Sequence, residues 1–268
     1  MAYRLIVLGA GKMGSALAAG LLEAHWCAPE EMALVARSRE TRQALTERFA
    51  GVDVLAGVEE AAVDADTGIV LAVKPDYAES VARVAGATGV SRVLSVVAGL
   101  SSARLEAALG RPVAVVRAMP NTPVLVRRGA TAIAGGAHVT AADLDWAESV
   151  MGAVGTVVRV AERNLDAVTG LSGPLPAYLY LVVEALVEAG VHQGLERSVA
   201  TRLVVDSFAG AGALLQATGE TPEALRAQVT SPGGTTAAGL RVLESRAVRS
   251  AFLEAVASAA ERSRQMGR

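Results

Sequence analysis

Two glycine-rich stretches hold the residues best placed to do chemistry. The first, Gly9-Ala10-Gly11-Lys12-Met13-Gly14, has G-x-G-x-x-G spacing. An apolar run at residues 3–8 precedes it, and a helical pattern through Ala16, Leu17, Ala19 and Leu21 follows. In that setting Gly9 permits a tight turn, Gly11 admits a pyrophosphate to the backbone, and Gly14 lets the helix pack close to the strand. The helix N-terminus then faces the negative charge. An ordinary Gly-rich turn is the alternative, and the strand-to-helix context favours dinucleotide binding. The second stretch is Ser231-Pro232-Gly233-Gly234-Thr235-Thr236, which opens a long helical pattern. Unpaired N–H groups at such a helix start can hold a small carboxylate without any basic side chain. A plain loop closed by a threonine cap fits the same residues, and both readings stand on this evidence.

The second apolar run, residues 32–36, leads into Arg37-Ser38-Arg39, where an NAD site usually presents a carboxylate to the ribose 2′-hydroxyl. Two guanidinium groups and a hydroxyl suit a 2′-phosphate instead, so NADP is the expected cofactor, with NADPH preferred and NADH also open. A solvated basic turn is the bland alternative. Further runs end in Leu71-Ala72-Val73-Lys74-Pro75, in Val96-Val97-Ala98-Gly99 and in Arg117-Ala118-Met119-Pro120-Asn121-Thr122-Pro123. Ligands of open α/β sheets lie beyond the carboxyl ends of the strands, so these segments are expected to line the cofactor crevice. Lys74 is the one obvious titratable group there, either a proton donor or a surface or ribose-contacting lysine.

The elements that position these residues follow from pattern. Short apolar runs at residues 67–73, 92–97 and 113–117 alternate with helical patterns at 77–87 and 102–109, which predicts a Rossmann-like parallel sheet, closed by strands at 130–134 and 156–160. Strand signals stop after Asn164. The expected domains are 1–162, binding NAD(P), and 163–268, helical. Residues 178–189 are apolar almost all round apart from Glu184 and Glu188, the pattern of a helix covered on every side. That points to a partner subunit, or else to the centre of a monomeric bundle. Further helices are expected over 196–217, from Thr221-Pro222-Glu223 onward, and unbroken from residue 235 toward Met266.

Composition excludes other classes. The chain has 268 residues, with 25 basic against 27 acidic side chains, which argues against a nucleic-acid partner. One cysteine, Cys27, excludes a disulfide framework and favours an intracellular, cytoplasmic home. His25, His138 and His192 lie far apart, so no metal site is expected. No unbroken apolar run of about 18 residues occurs, and no membrane span or membrane partner is expected.

Taken end to end, the chain resembles the pyrroline-5-carboxylate reductase family. The residues that carry this are VLGAGKMG at 7–14, LAVKP at 71–75, RAMPNTP at 117–123, EALVEAGVHQGL at 184–195 and TSPGGTTAAGLRVLE at 230–244. The resemblance implies an N-terminal Rossmann-like domain and a helical dimerisation domain, with homodimers that often assemble into decamers. It implies hydride transfer from NAD(P)H to the C=N carbon of pyrroline-5-carboxylate, giving L-proline. The 9–14 loop, with Lys12 and Met13, would hold the pyrophosphate, and Arg37, Ser38 and Arg39 would meet the adenosine end. Ala72, Val73, Lys74, Pro75 and Ala98 would lie near the nicotinamide. The backbone of Ser231, Gly233, Gly234 and Thr235 would take the substrate carboxylate, and the Thr236 hydroxyl would face the ring nitrogen. One departure is visible. The family pattern L-S-G-S-G-P-A-Y reads Leu171-Ser172-Gly173-Pro174-Leu175-Pro176-Ala177-Tyr178 here, which predicts a local change of backbone before the long apolar helix. A β-hydroxyacid dehydrogenase or imine reductase of similar plan, and a dinucleotide-binding regulatory protein without turnover, are the rival readings. An assay of NADPH oxidation with pyrroline-5-carboxylate separates them.

Overall fold

The structure, a computed structural model, describes residues 2–267. Eight strands form one sheet: β1 (Leu5–Leu8), β2 (Met32–Val35), β3 (Asp53–Leu55), β4 (Gly68–Leu71), β5 (Arg92–Ser95), β6 (Ala114–Met119), β7 (Gly129–Gly135) and β8 (Gly155–Arg159). Their order is β3-β2-β1-β4-β5-β6-β7-β8. All pairs are parallel except β6 with β7. The expected Rossmann-like parallel sheet is present, with one antiparallel pair at its closing strands. The exception has a simple cause, because only a short 3-10 turn, Thr122–Val126, lies between β6 and β7, and a parallel crossover needs a dozen or more residues.

Helices α1 (Lys12–Glu23), α2 (Arg39–Arg48) and α5 (Ala141–Gly152) cover one face of the sheet, and α3 (Pro75–Ala87) and α4 (Ser102–Leu109) the other. The alternation within β1 shows why both faces are filled. Leu5 and Val7 pack with Leu17, Leu21 and Trp146, while Ile6 and Leu8 pack with Ala78, Ala82 and Leu105. Burying each large side chain in this way stabilises the fold by about 1.5–3 kcal/mol. Strands covered on both faces read as unbroken apolar runs, and this made them visible in the sequence.

The rest of the chain is helical: α6 (Leu165–Leu171), α7 (Leu175–His192), α8 (Arg197–Thr218), α9 (Pro222–Gln228), α10 (Thr235–Ser245) and α11 (Val248–Met266). The backbone divides into two compact units. One comprises residues 1–174 with 257–268, and the other residues 175–256. Thr221 caps α9 through a bond from the Ala224 N–H, with Pro222 at the first helical position, as its sequence indicates. The helix expected to run unbroken to Met266 is instead two. Ala247 takes a left-handed φ of 55°, which ends α10 and redirects the chain into α11 without any glycine or proline. Helix α7, expected to be covered on every side, buries only Pro176 and Val187 in the single chain. Glu162–His192 and Arg197–Thr218 are long and apolar enough to cross a membrane by length and mean hydropathy. Glu184 and Glu188 break the apolar run at residues 178–189 without offsetting the apolar residues around them.

Candidate active site

The carboxyl ends of four neighbouring strands lie level, since Leu8 is in register with Val35 and Leu71, and Leu71 with Ser95. The sheet therefore brings residues 9–14, 37–39, 72–75 and 98 to one edge. Gly9 has φ +93°, and a Cβ there would stand 2.6 Å from Val73 Cγ1. A Cβ at Gly14 would collide with the Gly9 carbonyl oxygen. Gly11 is exposed and open, with nothing within 4 Å of the Cβ it lacks. It occupies the N-cap of α1 without a side-chain capping bond. The buried Ser15 hydroxyl donates to Ala10 O at 2.8 Å and pins the loop. Free N–H donors, a helix dipole and an open approach over Gly11 fit a diphosphate. Lys12 is exposed at the first helical position, and Met13 packs against the core.

At the neighbouring turn Ser38 is the N-cap of α2, accepting from Thr41 N at 3.0 Å and donating to Thr41 Oγ1 at 2.6 Å. Its hydroxyl thus has a structural task beside any contact with a ligand. Arg37 and Arg39 are exposed and make no ion pair among the described residues. Arg42, which sequence reasoning missed, donates from Nη1 to Ala36 O at 3.0 Å and to Arg37 O at 2.5 Å. Its signal was its place one helical turn after the capping serine. Lys74 is the exposed N-cap residue of α3, Pro75 is its first residue, and Val73 and Ala98 are half-buried. The end of α11 also reaches this edge. Met266 shares a surface pocket with Pro75 and Ala98, and Arg104 Nη1 donates to Gly267 O at 3.0 Å. Nothing in the local spacing foretold that contact.

Two polar residues of RAMPNTP, Arg117 and Asn121, serve structure. Arg117 bonds Glu162 at 3.0 Å, and the Asn121 side chain joins Ala130 N to Ser172. The Glu162 carboxylate also accepts from Ser102 N at 2.7 Å and Ser102 Oγ at 2.6 Å, at the first turn of α4. Burial alone pushes this carboxyl up, but the Ser102 donors and the Arg117 guanidinium outweigh it and hold it below the usual carboxylate range.

In the second unit the residues 231–236 form a tight turn. Gly233 has φ +72°, Gly234 N donates to Ser231 O at 3.0 Å, and a Cβ at Gly234 would collide with Ser231 Oγ. Gly234 is the N-cap of α10, and no side chain caps it. The threonine-cap alternative is thereby set aside: Thr235 and Thr236 are the first two helical residues, both exposed. First-turn N–H groups with no capping side chain, and no acidic residue among them, make an anion-accepting end. At the departure from the family pattern, Pro174 precedes α7 and Leu175 begins it, with no positive φ at either. A proline just before a helix sacrifices no intrahelical bond. Among the described residues no cluster of His, Cys, Asp or Glu could hold a metal.

A glycine loop at the carboxyl edge of a doubly wound sheet, followed by an all-helical unit, defines a dinucleotide-binding oxidoreductase of the Rossmann plan. Residues 4–99 match a family model described as NADP oxidoreductase coenzyme F420-dependent, and residues 162–266 match one described as pyrroline-5-carboxylate reductase dimerisation. A pyrroline-5-carboxylate reductase of Corynebacterium melassecola is 40% identical over 98% of both chains, and that of a Synechocystis strain 40% identical over 100% of both. The structure of the Coxiella burnetii enzyme aligns over 100% of both chains with TM-score 0.92 and 33% identity. The Plasmodium falciparum pyrroline carboxylate reductase, solved with NADP bound, aligns over 98% of both with TM-score 0.87 and 32% identity. The chain belongs to the pyrroline-5-carboxylate reductase family.

Proposed function

We propose that this protein reduces 1-pyrroline-5-carboxylate to L-proline with NAD(P)H. The observation that carries this reading is the helix start at 231–236, free of any capping side chain, in a chain that matches the family at full length. A bound reduced nicotinamide supplies hydride, and the protein's own work is positioning. The 9–14 loop cradles the diphosphate. Arg37 and Arg39 attract a 2′-phosphate and favour NADPH over NADH, and Ala72, Val73, Lys74, Pro75 and Ala98 border the nicotinamide end. The backbone of Ser231, Gly233, Gly234 and Thr235 holds the substrate carboxylate, and the Thr236 hydroxyl hydrogen-bonds the ring nitrogen, keeping its proton and its orientation. We take residues 1–162 as the cofactor domain and 163–268 as the domain of dimerisation and substrate binding. The dimerisation model over 162–266 supports that boundary and self-association. Homodimers, assembling further as five dimers in a cytoplasmic enzyme, complete the reading.

The test is NADPH oxidation monitored with pyrroline-5-carboxylate, with a hydroxyacid oxidation as control. Turnover with the imine alone is expected, and cofactor binding without turnover would instead mark a regulatory protein. Thr236→Ala is expected to lower kcat by about 10²–10³. Unchanged turnover and affinity would remove Thr236 from the mechanism.

A further inference from the structure

We propose that Tyr77 is a positioning residue for cofactor choice, its ring holding the Arg37 guanidinium ready for a 2′-phosphate. The inference rests on the role given above to Arg37, and adds a residue to which neither spacing nor family pattern gave a part. Strands β2 and β4 flank β1 on either side, so the turns that follow them stand on either side of the glycine loop. Arg37 comes two residues after β2, and Tyr77 lies in the first turn of α3, which follows β4. Between them they span the end of β1: Arg37 Cζ lies 5.0 Å from the centroid of the Tyr77 ring, within cation–π range.

Both anchors are fixed from behind. Pro75 sets the first turn of α3, and Tyr77 N donates to Lys74 O at 3.0 Å. The Arg37 carbonyl is held by Arg42 and the turn by the Ser38 cap. Tyr77 is 47% exposed and belongs to neither core cluster that covers the sheet, in a chain with only four tyrosines. A large ring left at the crevice, with an arginine lying over it, is better explained by a task there than by packing. A free arginine loses rotamer freedom when it meets a phosphate, and a ring that orders it beforehand removes part of that cost. The guanidinium retains its charge and its N–H donors while stacked.

Equilibrium binding of NADPH and NADH, measured by calorimetry on the intact protein, tests this. Tyr77→Leu keeps apolar bulk without a π face, and is expected to weaken NADPH about two- to five-fold while leaving NADH unchanged. Tyr77→Phe keeps the face and should bind both as the wild type does. In an Arg37→Ala background Tyr77→Leu should change nothing further, because the ring acts through the guanidinium. Equal weakening of both nucleotides by Tyr77→Leu, or of neither, overturns the proposal. If Arg37→Ala leaves the NADPH-to-NADH ratio untouched, the role of Arg37 itself fails. If Arg37→Ala shifts the ratio and Tyr77→Leu does not, only the role of Tyr77 fails.

Discussion

Gly11 and Gly14 lie three residues apart in one loop, yet a methyl group would mean different things at each. At Gly14 it would collide with the Gly9 carbonyl oxygen, a backbone atom that cannot swing aside, whereas at Gly11 it would meet nothing within 4 Å. Gly14→Ala is therefore expected to destabilise the protein by about 1–3 kcal/mol, the usual cost of overpacking, visible as a lower denaturant midpoint. Gly11→Ala is expected to leave that midpoint within about 0.5 kcal/mol, because the residue is exposed and its φ of −74° suits alanine. Its effect should appear in calorimetry, as NADPH binding at least about tenfold weaker, since on the proposed reading the Cβ would stand where the phosphate approaches. Equal stability of the two variants, or unimpaired binding by Gly11→Ala, would contradict these assignments. The close approach at Gly14 and the open face at Gly11 were legible in the spacing, because each is a local backbone feature. The roles of Arg42 and Tyr77 were not, because they depend on what stands opposite each residue after folding.

Among the elements, the Glu162 carboxylate joins the first turn of α4, strand β6 through Arg117, and the segment that enters α6. Its folded-state value lies below the ordinary 4.5. A depressed carboxyl contributes stability that is fully present above its unfolded value and is lost as pH falls through its folded one. Glu162→Gln should cost about 1–3 kcal/mol at neutral pH, through the lost charge-assisted bonds. The gap in urea midpoint between wild type and variant should then narrow as pH falls below about 4.5. A gap that stays constant down to pH 3 would show that the charge is not what matters. Most strands and helices were legible because two-sided burial and helical periodicity mark the letters directly. Strand β3 was not, being three residues long at the sheet edge, with Asp53 exposed and bonded by the Tyr3 hydroxyl. The break at Ala247 escaped as well, since a left-handed alanine carries no signal in its type.

For the whole molecule, the balance of covered and uncovered surface sets the expectation. In the second unit Leu181 is 67% exposed and Leu203 55%, while α9 and α10 bury no residue at all. So much apolar surface is more than a monomer ordinarily shows to water. It falls within the region matched by the dimerisation model. Leu181→Glu is expected to move the protein from the dimer or larger assembly to the monomer in sedimentation velocity. Burying a leucine is worth about 1.5–3 kcal/mol, and a twofold interface repeats the loss. An unchanged sedimentation profile would place the interface elsewhere.

By itself the sequence determined the alternation of elements, the glycine loop that suits a diphosphate, and the glycine turn that opens α10. Each of these depends on residues adjacent in the chain and on the φ, N–H and side-chain volume they allow. Only the tertiary structure decided the reversal of β7, the division of the last helix, the arrival of Met266 at the sheet edge, and the meeting of Arg37 with Tyr77. Those depend on loop reach and on contacts between distant residues, and such contacts are selected by the energy of the whole packed chain.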